Sequence, residues 1–310
     1  MGRGAETEAW ATDPPLPGPR GRYNPPTVAA SSSVAGTPPS GAQEVDMTGP
    51  RVAIGVDVGG SGIKAAVVDV DAGTLASERL RVPTPSPSTP EAVIASISRL
   101  VQRLAKSSGL GRTVPLGLGM PCVVLDGVVK TAANIDPAWL EFPVSDKLAK
   151  SLGRPVTIVN DADAAGIAEM RFGAGVGKRG VVILVTLGTG VGSGVFIDGT
   201  LVPNTEFGQM EIRGRAAERR TAAAARTRRG LSWKAWANDL DEHLGRIEDL
   251  MWPTLFIIGG GVSKNADRFI PRLTLRADVV PAQLRNDAGI IGAAVLVTER
   301  QAGPEASAET

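Results

Sequence analysis

The feature that most constrains this chain is a pattern that occurs twice. The apolar run Arg51–Asp57 leads into Gly59, Gly60 and Gly62 and then into the β-rich run Lys64–Asp69. About 130 residues later, Val181–Leu187 and Gly194–Ile197 flank Gly188, Thr189, Gly190 and Gly192. Each reads as strand, glycine turn, strand. Apolar residues recur at helical spacing over Pro90–Lys106, Ala162–Arg171, Trp233–Met251 and Gly289–Glu299, with short strand candidates at Val114–Gly119, Pro155–Val159 and Thr254–Ile258. Two lobes that open alike predict a duplicated α/β architecture around a cleft. Residues 51–160 form the expected first lobe and 161–298 the second, whose closing helix can return to the first. Residues 1–50, rich in Pro, Gly and Ser with no hydrophobic period, and 299–310 read as disordered tails.

Composition narrows the chemistry. With 310 residues, 43% of them hydrophobic, the chain can bury two cores. A net charge of +1 exerts no global pull on nucleic acid or an anionic membrane, so an anion site must be local. The apolar runs are too short to span a bilayer, and nothing near Met1 resembles a signal peptide, so a cytoplasmic protein is expected. Cys122 is the only cysteine, which excludes an intramolecular disulfide and a zinc site built on several thiolates. His243 is the only histidine, so general-base work falls most naturally on a carboxylate.

In IGVDVGGSGIK, Gly59 and Gly60 leave backbone N–H groups free to face a phosphate, Ser61 adds a hydroxyl and Lys64 a positive charge. Asp57 can hold Mg²⁺, directly or through water. VTLGTGVGSG repeats the chemistry with Gly188, Thr189 and Gly190. Neither turn fits the Walker pattern, and neither leads from strand into helix as a dinucleotide fingerprint does. In LFIIGGGVS, Gly260 and Gly261 allow close approach by a flat ligand or make an ordinary strand-to-helix connection.

VTIVNDADAAG sets Asn160 and Asp161 beyond a strand and ahead of a helix, where ligands of open α/β sheets gather. Asp161 can accept a hydroxyl proton during phosphoryl transfer, or it can cap the helix. Asp163 is its rival, set in the first turn where the helix dipole favours an acid. Glu206, Gln209 and Glu211 around Gly208, and Asn134 in TAANID, are candidate partners for sugar hydroxyls.

Taken in order, these motifs resemble the ROK sugar kinases, from about Ala53 to Val297. GVDVGGSGIK, TAANID, NDADAAG and PNTEFG are most similar to those of the actinobacterial polyphosphate glucokinases. The resemblance implies a two-lobed actin-like ATPase (ribonuclease H-like) fold with duplicated βββαβα lobes. It also implies phosphorylation of glucose at its 6-hydroxyl, using polyphosphate, ATP or both with Mg²⁺, often in a homodimer. Asp161 is the implied base; Asn134, Asn160, Glu206 and Glu211 surround the sugar, and Asp57, Gly60, Lys64, Thr189 and Gly190 hold phosphates. Gln209 stands where the family usually has a sugar-contacting histidine. Cys122 replaces a glycine and either narrows the sugar pocket or is a small buried hydrophobe. The zinc-binding cysteines of many members are absent. A sugar-binding or regulatory protein that has lost turnover is the alternative. A DNA-binding repressor is not, because residues 1–50 hold too much Pro and Gly for a helix-turn-helix.

One segment falls outside these motifs. Arg213, Arg215, Arg219, Arg220, Arg226, Arg228 and Arg229 crowd a stretch whose only acid is Glu218. Polyphosphate, RNA or no ligand at all fits such a basic run.

Overall fold

The computed structural model describes residues 51–132 and 135–302. The expected tails, apart from residues 299–302, lie outside the described residues.

The first lobe is built on a mixed sheet. Strands β1 (Val52–Gly59) and β2 (Gly62–Asp69) pair antiparallel with Gly59 opposite Gly62, so the first glycine turn is Gly60–Ser61. Two short strands, β3 (Thr74–Leu75) and β4 (Leu80–Val82), both add to β2. Helix α1 (Pro90–Ser107) starts where Thr89 Oγ1 accepts the Ala92 N–H, with Pro90 at its first position. Its Val93, Ile97, Leu100, Val101 and Leu104 fill the core under the sheet. Strand β5 (Leu116–Met120) runs parallel to β1. After the small hairpin β6 (Val124–Leu125) and β7 (Val128–Val129) comes helix α2 (Val144–Leu152), then β8 (Val156–Asn160), parallel to β5.

The second lobe follows helix α3 (Asp161–Phe172) and repeats the order. Strands β9 (Val181–Leu187), β10 (Val191–Ile197) and β11 (Thr200–Val202) form an antiparallel meander. A helical region then interrupts the sheet. It comprises the hairpin β12 (Glu211–Ile212) and β13 (Arg215–Ala216), the short helices α4 (Glu218–Thr221) and α5 (Ala223–Arg228), and the long α6 (Trp233–Met251). Strands β14 (Leu255–Gly259) and β15 (Asp278–Pro281) complete the sheet in parallel, and α7 (Ala288–Ala302) closes the chain. The sheet orders, β3-β2-β1-β5-β8 and β11-β10-β9-β14-β15, are the same topology twice. The duplicated α/β expectation is borne out with one departure: only 3₁₀ turns, Gly261–Arg268 and Ile270–Arg272, separate β14 from β15. Gly260 takes a left-handed φ of 79°, and its backbone lies so close to Leu187 that no side chain fits there; both conditions call for glycine.

Helices α3 and α7 pack on each other between the sheets, α3 on β9 and β10, α7 on β1 and β5. Bare glycines permit this spacing. A Cβ on Gly292 of α7 would collide with the Ala164 carbonyl of α3, and one on Gly55 or Gly117 would strike the α7 backbone. Strand β10 begins at Val191, earlier than the expected Gly194, because Gly192 and Gly194 belong to its ladder. They are bare where the first turn of α3 leans on the strand; a Cβ at Gly192 would lie 2.9 Å from Ala162 Cβ. That contact sets the start of α3 against the second glycine turn.

Candidate active site

The start of α3 is capped by Asn160, not Asp161. Asn160 Oδ1 accepts the N–H groups of Ala162 (2.8 Å) and Asp163 (3.3 Å), while its Nδ2 donates to the Cys122 carbonyl at 3.3 Å. Such a cap stabilises a helix by about 1 kcal/mol. It also leaves Asp161 free as the first helical residue, with its side chain in a cleft of about 260 Å³. Gly59 and Gly60 of the first turn and Gly188, Thr189 and Gly190 of the second line the same cleft, as do Asn160, Glu206 and Gly260. The turns face each other closely: a Cβ at Gly60 would stand 3.9 Å from Thr189 Oγ1. Two glycine bends and an acid from a third segment therefore border one space.

Burial pushes the Asp161 carboxyl up to about 7, helped by the charge of Asp57 and, more weakly, by Glu206 and Asp163; the Ala162 N–H opposes the shift. A carboxyl poised there exchanges a proton near neutral pH. Asp163 is different. It is fully buried, and its Oδ2 accepts the Asn204 N–H at 2.8 Å, which ties α3 to the loop carrying Glu206. Burial raises it to about 7 as well, against that hydrogen bond.

On the phosphate side, Asp57 lines the cleft, and Lys64, its neighbour across the β1–β2 pair, holds Asp57 Oδ2 at 2.8 Å. Lys64 is thus committed to Asp57 rather than to the turn. Ser61 and Gly261 are not among the cleft-lining residues; Ser61 is exposed and its carbonyl accepts from Arg81 Nη2 at 2.8 Å. No group of three or more His, Cys, Asp or Glu able to hold a metal occurs among the described residues. Mg²⁺ at a phosphoryl-transfer site is held by one or two carboxylates plus the donor's own oxygens. The lone carboxylate of Asp57 beside the first turn fits that requirement.

On the sugar side, Asn134 lies outside the described residues. Glu206 lines the cleft, its carboxyl raised by burial and by the nearby Glu218. Glu211 is not brought there: it is exposed on β12 and lines a separate hollow with Arg213, Glu242 and Arg246. The strand alternation that buries Ile212 turns Glu211 outward. Glu218 is the acid that the fold sets near Glu206 instead. Its Oε2 accepts the Val191 N–H at 3.1 Å and its Oε1 accepts from Gln209 Nε2 at 3.1 Å, so Gln209, though exposed and off the cleft wall, is linked to it. The sequence carried one signal for Glu218, as the lone acid among seven arginines. His243 is fully buried and braces this corner: Nε2 donates to the Phe207 carbonyl at 3.0 Å, and Nδ1 meets Thr221 Oγ1 at 3.0 Å. Burial pushes its pKa down, keeping the ring neutral. Cys122 narrows no pocket. It is buried in the first core, off the cleft wall, with its thiol pushed up to about 12 by burial and so inert. A second cavity of about 350 Å³ adjoins the cleft, sharing Gly59, Gly60 and Pro121 with it and reaching Asp136 and Trp139.

A model of the ROK family matches residues 53–210. A polyphosphate glucokinase of Mycobacterium tuberculosis is 46% identical over 260 residues, covering 84% of this chain and 96% of that protein. This chain belongs to the ROK family. The fold agrees with solved structures of other members. An inorganic polyphosphate/ATP-glucomannokinase from Arthrobacter sp. strain KM superposes with a TM-score of 0.78 at 47% identity, covering 80% of this chain and 99% of that one. A ROK glucokinase from Streptomyces griseus, in complex with glucose and AMPPNP, gives a TM-score of 0.70 at 28% identity, covering 80% and 99%. This ROK chain therefore has the actin-like ATPase architecture that its resemblance to the family implies.

Proposed function

We propose that this ROK protein is a glucokinase that moves a phosphoryl group from polyphosphate or ATP to the 6-hydroxyl of glucose, giving glucose 6-phosphate. The observation that carries the reading is the position of Asp161, whose carboxyl, raised to about 7, shares one cleft with both glycine turns. The names of the Mycobacterium tuberculosis polyphosphate glucokinase and the Arthrobacter polyphosphate/ATP-glucomannokinase support the substrate and both donors. In the proposed reaction the N–H groups of Gly59–Gly60 and of Thr189–Gly190 hold the donor's terminal phosphates, while the Gly188 N–H closes the second turn on the Gly190 carbonyl at 3.0 Å. Asp161 takes the proton of the 6-hydroxyl as that oxygen bonds to phosphorus, and the bond from phosphorus to the departing phosphate oxygen breaks. Asn160 holds α3, and with it Asp161, in place, while Glu206 offers an acceptor to another sugar hydroxyl. Asp57, directly or through water, would hold Mg²⁺, which neutralises charge on the donor oxygens when bound.

The proposal extends to a cytoplasmic homodimer. No helix among the described residues is long and apolar enough to cross a membrane. Trp236 is buried in the second core, while Trp252 is 69% exposed near the equally bare Leu250 and offers an apolar surface for the interface. Sedimentation of the protein with a Trp252→Ser variant tests the dimer, which should weaken.

Purified protein given glucose, Mg²⁺ and either ATP or polyphosphate should form glucose 6-phosphate. No product with either donor, with mannose and other hexoses also failing, would overturn the kinase reading.

A further inference from the structure

The basic segment remains unexplained by the cleft chemistry. It folds as β13, α4 and α5, and its side chains border a hollow of about 760 Å³ whose wall includes Arg215, Arg219, Arg220, Arg228, Arg229 and Thr189. The last of these also lines the cleft, so the two spaces meet at the second glycine turn.

Part of the charge is neutralised from α6, which the linear sequence does not reveal. Arg220 pairs with Asp239 and Glu242, Arg229 with Asp239, and Arg213 with Glu242. Arg226 lies outside the hollow with its guanidinium 3.7 Å from the Trp233 ring centroid. Among the described residues, Arg215, Arg219 and Arg228 have no carboxylate partner, and all three are exposed. Arg228 Nη2 donates to the Arg219 carbonyl at 3.3 Å, and Arg229 Nη1 to the Arg220 carbonyl at 3.4 Å, which folds the α5 side chains back over α4. Like charges crowded around one hollow repel one another.

A ligand that repeats a negative charge along its length removes the repulsion, and guanidinium groups match phosphate oxygens two at a time. ATP does not meet this description, since after its third phosphate it presents a nucleoside, and the hollow's wall is arginine-rich, with Ala222 as its apolar part and Glu218, already hydrogen-bonded to the Val191 N–H and Gln209 Nε2, as its one acid. We infer that the arginine hollow holds the trailing phosphates of an inorganic polyphosphate donor whose terminal phosphate is gripped between the glycine turns. This rests on the kinase reading above and adds where donor choice is made.

The test is the triple variant R215S/R219S/R228S, with each replacement on an exposed side chain. Two readouts are needed: kinetics with polyphosphate of increasing length and with ATP, and direct binding of fluorescently labelled polyphosphate without glucose across a salt series. Removing three exposed positive charges together should raise the KM and the Kd for long polyphosphate about tenfold or more, least for triphosphate. The salt dependence of Kd should also flatten, while the KM for ATP stays within about twofold, an exposed charge change remote from the nucleotide being worth little. An equal penalty on both donors, or none on polyphosphate, overturns the inference. So does single-stranded RNA that displaces labelled polyphosphate as well as unlabelled polyphosphate does, which would make the hollow an RNA surface. Were the unaltered enzyme to form product from neither donor, the kinase reading would fail, and the binding arm would still decide the hollow.

Discussion

Asp161 and Asp163 stand two residues apart on the first turn of α3, and burial raises both carboxyls to about 7. Two residues along a helix is a rotation of about 200°, so the two side chains leave the helix on nearly opposite sides. Asp161 enters the cleft, where the charges of Asp57 and Glu206 add to the effect of burial. Asp163 is sealed behind it, where the Asn204 N–H partly offsets the cost of burial. A similar proton affinity therefore comes with different access, and access decides which group can meet a substrate. Oδ1 of Asp163 is buried without a hydrogen-bond partner, as befits a bracing group held at some cost.

The largest expected effect separates the two acids by rate. Asp161→Asn should lower kcat by about 10²- to 10⁴-fold, the range for loss of a positioned base. It should leave the melting temperature at pH 8 equal or higher, because a like-charged, desolvated carboxylate has been removed. Retention of most activity would remove the base assignment. Next comes stability. Asp163→Ala leaves the part-buried Asn204 N–H without its acceptor and should cost about 1–3 kcal/mol in denaturant unfolding, largely restored in Asp163→Asn, whose amide oxygen still accepts. An Asp163→Ala protein as stable as the unaltered one would sink the bracing role.

The pH dependence sharpens the same contrast. A folded-state pKa raised from the ordinary 3.8 to about 7 means that the folded protein keeps its proton to higher pH. Stability from both groups is thus fully present below about 3.8 and declines as pH rises to about 7. Thermal melts across that window should show the decline, with a shallower slope in Asp163→Asn. Activity runs the other way: kcat/KM for glucose should rise with pH through about 7 as Asp161 loses its proton. Glu206→Gln removes one of the neighbouring charges and should move that rising limb to lower pH; a shift upward would contradict the arrangement of charges described. The smallest effect is expected at Gln209. Gln209→Ala breaks one exposed hydrogen bond to Glu218 and should change the KM for glucose by a few-fold, about 0.5–1.5 kcal/mol, with kcat nearly intact.

The glycine turns, Asp161 and the order of the main strands were legible because each depends on neighbours along the chain: β-rich runs, turn residues and a strand end followed by a helix. The surroundings of other positions were not legible because their partners lie far away in sequence. Lys64 was expected at a phosphate, but the β1–β2 register sets it opposite Asp57. Glu211 was expected beside the sugar, but a two-residue strand that buries Ile212 turns it outward, and Glu218 occupies the corner near Glu206. The short elements β6, β7, β12 and β13 passed unnoticed because two residues carry no measurable period.

By itself the chain's order of residues determined that two strand–turn–strand units would form and that an acid would follow a strand end. Those outcomes follow from backbone preferences acting over a few residues. Only the packed molecule decided which acid faces the cleft, which cation is already paired and which arginines remain without a carboxylate. Those depend on the seating of α3 and α7 between the sheets and of α6 against α4, contacts among segments up to more than a hundred residues apart. Side-chain direction is set by such contacts, and no local pattern encodes it.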